Sequence, residues 1–166
     1  MDRNRDWPRA IEKAFDLGDT AIARALASLG RPVSYEAGQK LFECGAHADA
    51  ISVVLTGEVD LCLPMDLLST ERGVTIDRVE EGAILGWSAV VNPFRYVLSA
   101  WAVGQVETLV FAPEAIREWC DENPKPGLRL QSQVANVIGG RLASMIRALR
   151  GEIEHSVRQT RRGGYE

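Results

Sequence analysis

Seven glycines, Gly38, Gly45, Gly57, Gly73, Gly82, Gly86 and Gly104, cut the stretch from Arg31 to Phe111 into short apolar segments. Val33 and Tyr35 alternate with polar neighbours. Lys40–Phe42, Ile51–Leu55, Val59–Leu63, Val74–Val79, Tyr96–Ala102 and Val106–Phe111 follow between the glycines. Turns at roughly ten-residue spacing leave no room for long helices here. They predict seven or eight short strands closed into a sandwich, jelly roll or small barrel. Within Ile51–Leu63 the apolar side alternates across Gly57, which predicts two half-buried antiparallel strands joined at a glycine turn.

The flanks keep a helical period. Over residues 1–29 Pro8 suits a first helical turn, and Ile11, Ala14 and Phe15 share a face. Leu17-Gly18 is a stop. Asp19 or Thr20 caps a second helix with Ile22, Leu26 and Leu29 as its stripe and Gly30 as its end. After Phe111, Pro113 opens a short helix over Glu114–Asn123, closed by Asn123-Pro124 and Pro126. One long helix follows, from about Gly127 to about Arg158. Its apolar positions recur at steps of three and four, with Ala135, Ile138, Leu142, Met145 and Leu149 in a heptad-like series. The stripe is wider than one seam, so one edge suits the barrel and the other a second copy of the helix. Gly139-Gly140 costs about 1 kcal/mol per glycine in mid-helix, which suits either a close backbone approach or a kink.

The fold class expected is therefore α+β, mainly β: a double-stranded β-helix (jelly-roll) barrel with N-terminal helices, a short helix and a long C-terminal helix. The 166 residues suit one domain, with helices over 1–30, the barrel over 31–112 and the helix pair over 113–158. A net charge of −4 argues against a general nucleic-acid surface, and Arg158, Arg161 and Arg162 read as a solvated basic tail. There is no apolar leader and no window of about 18 apolar residues, so a cytoplasmic protein without a membrane span is expected. Cys44, Cys62 and Cys120 are scattered and odd in number, as for reduced structural thiols.

Gly82–Ala102 carries the chemistry. Two glycines four apart, a short helical turn, an Asn92-Pro93 break and Arg95 precede an alternating strand. Free N–H groups at a helix start and a nearby guanidinium both favour an anion. Trp87 stands directly after Gly86, where such a cradle gains from a polar side chain.

The order of elements resembles a cyclic-nucleotide-binding domain of the catabolite-activator (Crp/Fnr) superfamily, over about residues 18–155. Three stretches carry the resemblance. Gly38-Gln-Lys-Leu-Phe-Glu-Cys-Gly45, with Ala48–Ile51 and Thr56-Gly57-Glu58-Val59, is similar to the family's early-barrel signature. Val79-Glu-Glu-Gly82-Ala-Ile-Leu-Gly86 is similar to the approach to its phosphate-binding cassette, and Ser99–Ala102 with Glu107–Phe111 to the strands that leave it. In members that bind cyclic AMP or GMP, a glutamate after the glycine accepts from the ribose 2′-hydroxyl and an arginine pairs with the phosphate. The resemblance implies Gly86, Trp87, Ser88 and Ala89 at the cassette and Arg95 as the arginine. Indole offers only a donor, so Trp87 cannot take the glutamate's role, and an unpaired ribose hydroxyl costs roughly 1–3 kcal/mol. Counting by composition puts Arg95 in the arginine slot; counting back along the strand from Ala102 puts Tyr96 there. One residue of slip turns a side chain to the other face.

Function follows as two alternatives. One is a non-catalytic regulatory or sensory domain, homodimeric through Ile138, Leu142, Met145 and Leu149, whose cassette does not bind cyclic AMP in the usual way. No cofactor is certain, and a cyclic nucleotide or another small anionic ligand is what such a cassette would take. The other is an interaction module whose pocket Trp87 plugs, with a protein partner in trans. Too little chain follows the long helix for a winged helix-turn-helix, so no direct DNA binding is expected. The two histidines, His47 and His155, cannot make a metal cluster, and no nucleophile has a histidine partner, so no catalytic or metal residue is assigned. Trp119 reads as core or lid contact, and the face of Trp101 follows the unresolved register.

Overall fold

In the computed structural model, which describes residues 7–65 and 72–162, two short helices lead into the sheets. Helix α1 spans Trp7–Phe15 and buries Ile11, Ala14 and Phe15, the predicted face. Asp19 caps α2 (Thr20–Ala27), its Oδ1 accepting from the Ala21 N–H at 2.6 Å. Ile22 and Leu26 of the α2 stripe pack inward. Leu29 does not: α2 ends at Ala27, and Leu29 lies beyond it, exposed.

Eight strands follow: β1 (Arg31–Tyr35), β2 (Lys40–Phe42), β3 (Ile51–Thr56), β4 (Val59–Leu63), β5 (Val74–Val79), β6 (Ile84–Leu85), β7 (Ser99–Ala102) and β8 (Val106–Phe111). They form two four-stranded antiparallel sheets, ordered β1-β8-β3-β6 and β2-β7-β4-β5. This is the jelly-roll arrangement expected. Strands β4 and β5 pair antiparallel, and residues 66–71 between them lie outside the described residues. The strand over Tyr96–Ala102 shortens to Ser99–Ala102, and β6 was not foreseen.

The hairpin expected across Gly57 is a misreading. β3 pairs with β6 and β8, whereas β4 pairs with β5 and β7, so the chain passes at Gly57 from one sheet to the other. Gly57 has φ +85°, and a Cβ there would collide with the Gln105 carbonyl. Nor are these strands half-buried. Val54, Val59 and Leu61 fill the space between the sheets with Leu98, Ala100 and Ala102, while Ile51, Val53 and Leu55 face the helices with Leu109 and Phe111. A strand covered on both faces loses the polar alternation that marks an exposed side.

Helix α3 (Pro113–Glu122) ends where the Asn123 side chain and backbone N–H both donate to the Trp119 carbonyl at 2.9 Å. Pro124 then starts α4 (Pro124–Arg162), three residues earlier than its period suggested. Its first half anchors through Leu130 and Val134, buried against α1 and α3. Further on it passes β5, the edge strand of its sheet. Trp119 is buried, as expected of a core residue.

Candidate functional site

The cassette lies where β6 ends. Gly86 takes φ +68°, and a side chain there would meet the Ala50 carbonyl oxygen, so glycine is required. Its carbonyl accepts from the Ala89 N–H at 2.9 Å and opens a 3-10 turn over Trp87–Val90. Ser88 and Ala89 are buried in this turn, and Trp87 is half-buried against the helix-side core.

Arg95 and Tyr96 lie upstream of β7, where no strand period fixes their faces; Tyr96 lines the cavity beside Gly86 and Arg95 does not. Tyr96 is 6% exposed and stacks on Phe42, with ring centroids 4.2 Å apart and planes 16° from parallel. Its hydroxyl proton lies between Asp49 Oδ1 at 3.0 Å and the Ala50 carbonyl oxygen at 3.2 Å, and its oxygen is 3.3 Å from the Ala50 N–H. Burial first, and the Asp49 carboxylate second, push the phenol up to about 12. Arg95 is exposed on a bridge to His47, and its guanidinium donates to the Gly45 carbonyl at 2.8 Å. Of the two residues that compete for the arginine slot, Tyr96 lines the cavity and Arg95 is bonded to the neighbouring loop.

What remains of the pocket is a cavity of about 20 Å³ among Phe42, Gly86, Trp87, Ser88, Tyr96 and Arg141. That is room for about one water molecule, whereas small-molecule sites run to hundreds of cubic ångströms. Trp87 shares the cavity's lining with the stacked rings of Phe42 and Tyr96. A cyclic nucleotide is far larger than this cavity. Ala89 faces away, into a separate cleft of about 300 Å³ with His47, Asp49, Phe94, Glu114 and Arg117. Arg117 bridges α3 to the cassette by donating to the Ala89 carbonyl at 3.2 Å.

Arg141 was not singled out in the sequence. It stands on α4, within the predicted long helix, and its side chain is 11% exposed and ion-paired with Asp77 of β5. Burial draws its pKa down while the Asp77 carboxylate opposes this. Only the step of three from Ile138, a position that packs on the core, hinted at its inward direction.

The family's model for the cyclic nucleotide-binding domain matches residues 32–123. The chain belongs to that family. Among solved structures, a cyclic nucleotide-binding domain from Methylobacillus flagellatus KT aligns with TM-score 0.71 at 20% identity, covering 87% of this chain and 85% of that one. A cyclic nucleotide-binding-like protein from Brucella abortus is 27% identical with TM-score 0.59, covering 70% and 98%. The Thermus thermophilus catabolite activator protein gives 0.62 at 20% identity; 87% of this chain covers 63% of that one. No curated protein matches the sequence.

The four predicted dimer residues do not share one environment. Ile138 and Met145 are half-buried, whereas Leu142 and Leu149 are 58% and 47% exposed. The exposed apolar positions Leu142, Ile146, Leu149 and Ile153 form a stripe of their own at steps of four, three and four. A Cβ on Gly139 or Gly140 would meet nothing within 4 Å. Trp101 lies on the outward face of β7, covered by Lys40 and Arg72, each 4.8 Å from its ring centroid. Cys44, Cys62 and Cys120 are unpaired thiols, all pushed up chiefly by burial. Among the described residues no cluster of three metal-ligating side chains exists, and no helix is long and apolar enough to cross a membrane.

Proposed function

We propose that this member of the cyclic nucleotide-binding domain family is a non-catalytic regulatory domain of the cytoplasm whose cassette does not take cyclic AMP in the family's usual way. The observation that carries this is the cavity of about 20 Å³, with Tyr96 inside it and Arg95 turned away. Neither a carboxylate nor Arg95 is among the residues that line this cavity. The output we assign to α4. Its exposed stripe Leu142–Ile153 is continuous and apolar, and a second copy of the same helix is the occupant that a heptad-like period suits. The closed cavity also favours the second reading, an interaction module that needs no ligand, with the plug made by Tyr96 and Phe42 together with Trp87.

The test has two arms. Calorimetry of the purified chain with cyclic AMP and cyclic GMP should give no saturable heat. Light scattering should give a dimer, and a Leu142→Glu/Leu149→Glu variant a monomer of unchanged fold. Cyclic AMP binding that disappears in Arg95→Gln would overturn the cassette reading. A monomeric parent would overturn the role of α4.

A further inference from the structure

Arg141 is the charged side chain that lines the cassette cavity, and it comes from the helix side rather than from the strand. Its guanidinium stands beside Gly86, Trp87 and Ser88, and among the described residues its hydrogen bond goes to Asp77 alone. A guanidinium presents five N–H donors in a planar fork, so one carboxylate oxygen leaves most of its capacity unused. The pair also ties together two elements that sequence keeps apart, since β5 is an edge strand and α4 crosses it. The pair fastens α4 to β5 beside the cavity that Arg141 lines.

We propose that Asp77 is a built-in competitor for Arg141, and that this cassette accepts a small phosphate- or carboxylate-bearing molecule by exchanging Asp77 for the ligand's anion. This rests on the reading above that Arg95 does not serve the cassette. The exchange replaces one charge-assisted pair with another, so Arg141 never stands unpaired in a place where an uncompensated charge is costly. Asp77 is the more exposed partner, with 35% of its side chain accessible, and takes up water when released. Trp87 lines the same cavity as Arg141 and offers a flat face for a ring that the anion carries.

The experiment is a phosphate titration of the full chain by amide NMR at constant ionic strength, made up with potassium chloride so that screening is fixed. Wild type, Asp77→Asn and Asp77→Asn/Arg141→Gln are compared at the Gly86, Trp87 and Ser88 amides. Removing the competitor should bring saturation at about tenfold lower phosphate than in wild type, equivalent to about 1.4 kcal/mol. The double variant should show no saturable shift. The dispersion of each spectrum reports that the variant folds. Equal midpoints for wild type and Asp77→Asn, no saturation in Asp77→Asn, or shifts that survive Arg141→Gln each overturn the exchange. None of these outcomes touches the calorimetry with cyclic AMP, so the two readings fail separately.

Discussion

Tyr96→Phe isolates one hydroxyl in the slot where a ligand's phosphate contact would lie. The ring and its stack on Phe42 stay; the bonds to Asp49 and Ala50 go. A hydrogen bond to a charged group is worth about 1.5–3 kcal/mol. Asp49 is exposed and regains water, so the lower end applies, and we expect a loss of about 1.5 kcal/mol at neutral pH. For a chain of this size that lowers Tm by about 3–6 °C. The sign reverses at high pH. Tyr96 titrates near 10.0 when unfolded and at about 12 when folded, so its neutral form favours the folded state. That contribution is complete below the unfolded value and is lost as pH rises from 10 towards 12, at about 1.4 kcal/mol per pH unit. The stability gap between wild type and Tyr96→Phe should therefore close at about pH 11. Urea unfolding at pH 7, 9, 10 and 11, followed by far-ultraviolet circular dichroism, measures the gap directly. Taking the difference cancels the titration of other groups. A gap below about 0.5 kcal/mol at pH 7, or one that is constant to pH 11, refutes the hydrogen-bonded, proton-retaining Tyr96 described here.

Two further substitutions probe the same region. Gly86→Ala combines a left-handed backbone with a collision against the Ala50 carbonyl, and should cost about 2 kcal/mol or more in urea unfolding. Arg95→Gln removes an exposed bond to Gly45 and should change stability by about 0.5 kcal/mol or less; a loss of several times that in the same assay would place Arg95 in a more demanding role.

Much of the fold is legible in the sequence because glycines fix where strands stop and because the helical stripes are unbroken. Ile11, Ala14 and Phe15 announce their face without ambiguity, and Asp19 announces its cap. Partner choice is another matter. The residues of β3 and β4 are apolar enough for an antiparallel pair, but nothing local says that Gly57 is a corner between sheets rather than a turn within one. The backbone approach that requires glycine there is to Gln105, distant in sequence. The cassette shows the same limit. Gly86, Trp87 and Ser88 were readable as neighbours on one turn, and they line one cavity. The direction of Arg95 was not, because it lies in the irregular stretch upstream of β7, where no strand period applies. Arg141 was silent because its meaning comes from Asp77, on another element.

The Gly57 corner bears also on how the chain is made. Since β3 turns away from β4, its long partner is β8, and β1 likewise pairs Arg31 with Val110 and Tyr35 with Val106. The first sheet cannot close until residue 111 is available, and loop closure over such spans is slow. During synthesis Ile51–Leu55, five residues that end up wholly buried, emerges well before β8. A short apolar β-forming segment with an unpaired edge is an aggregation hazard. Until β8 is made, β3 lacks the strand it pairs with along most of its length.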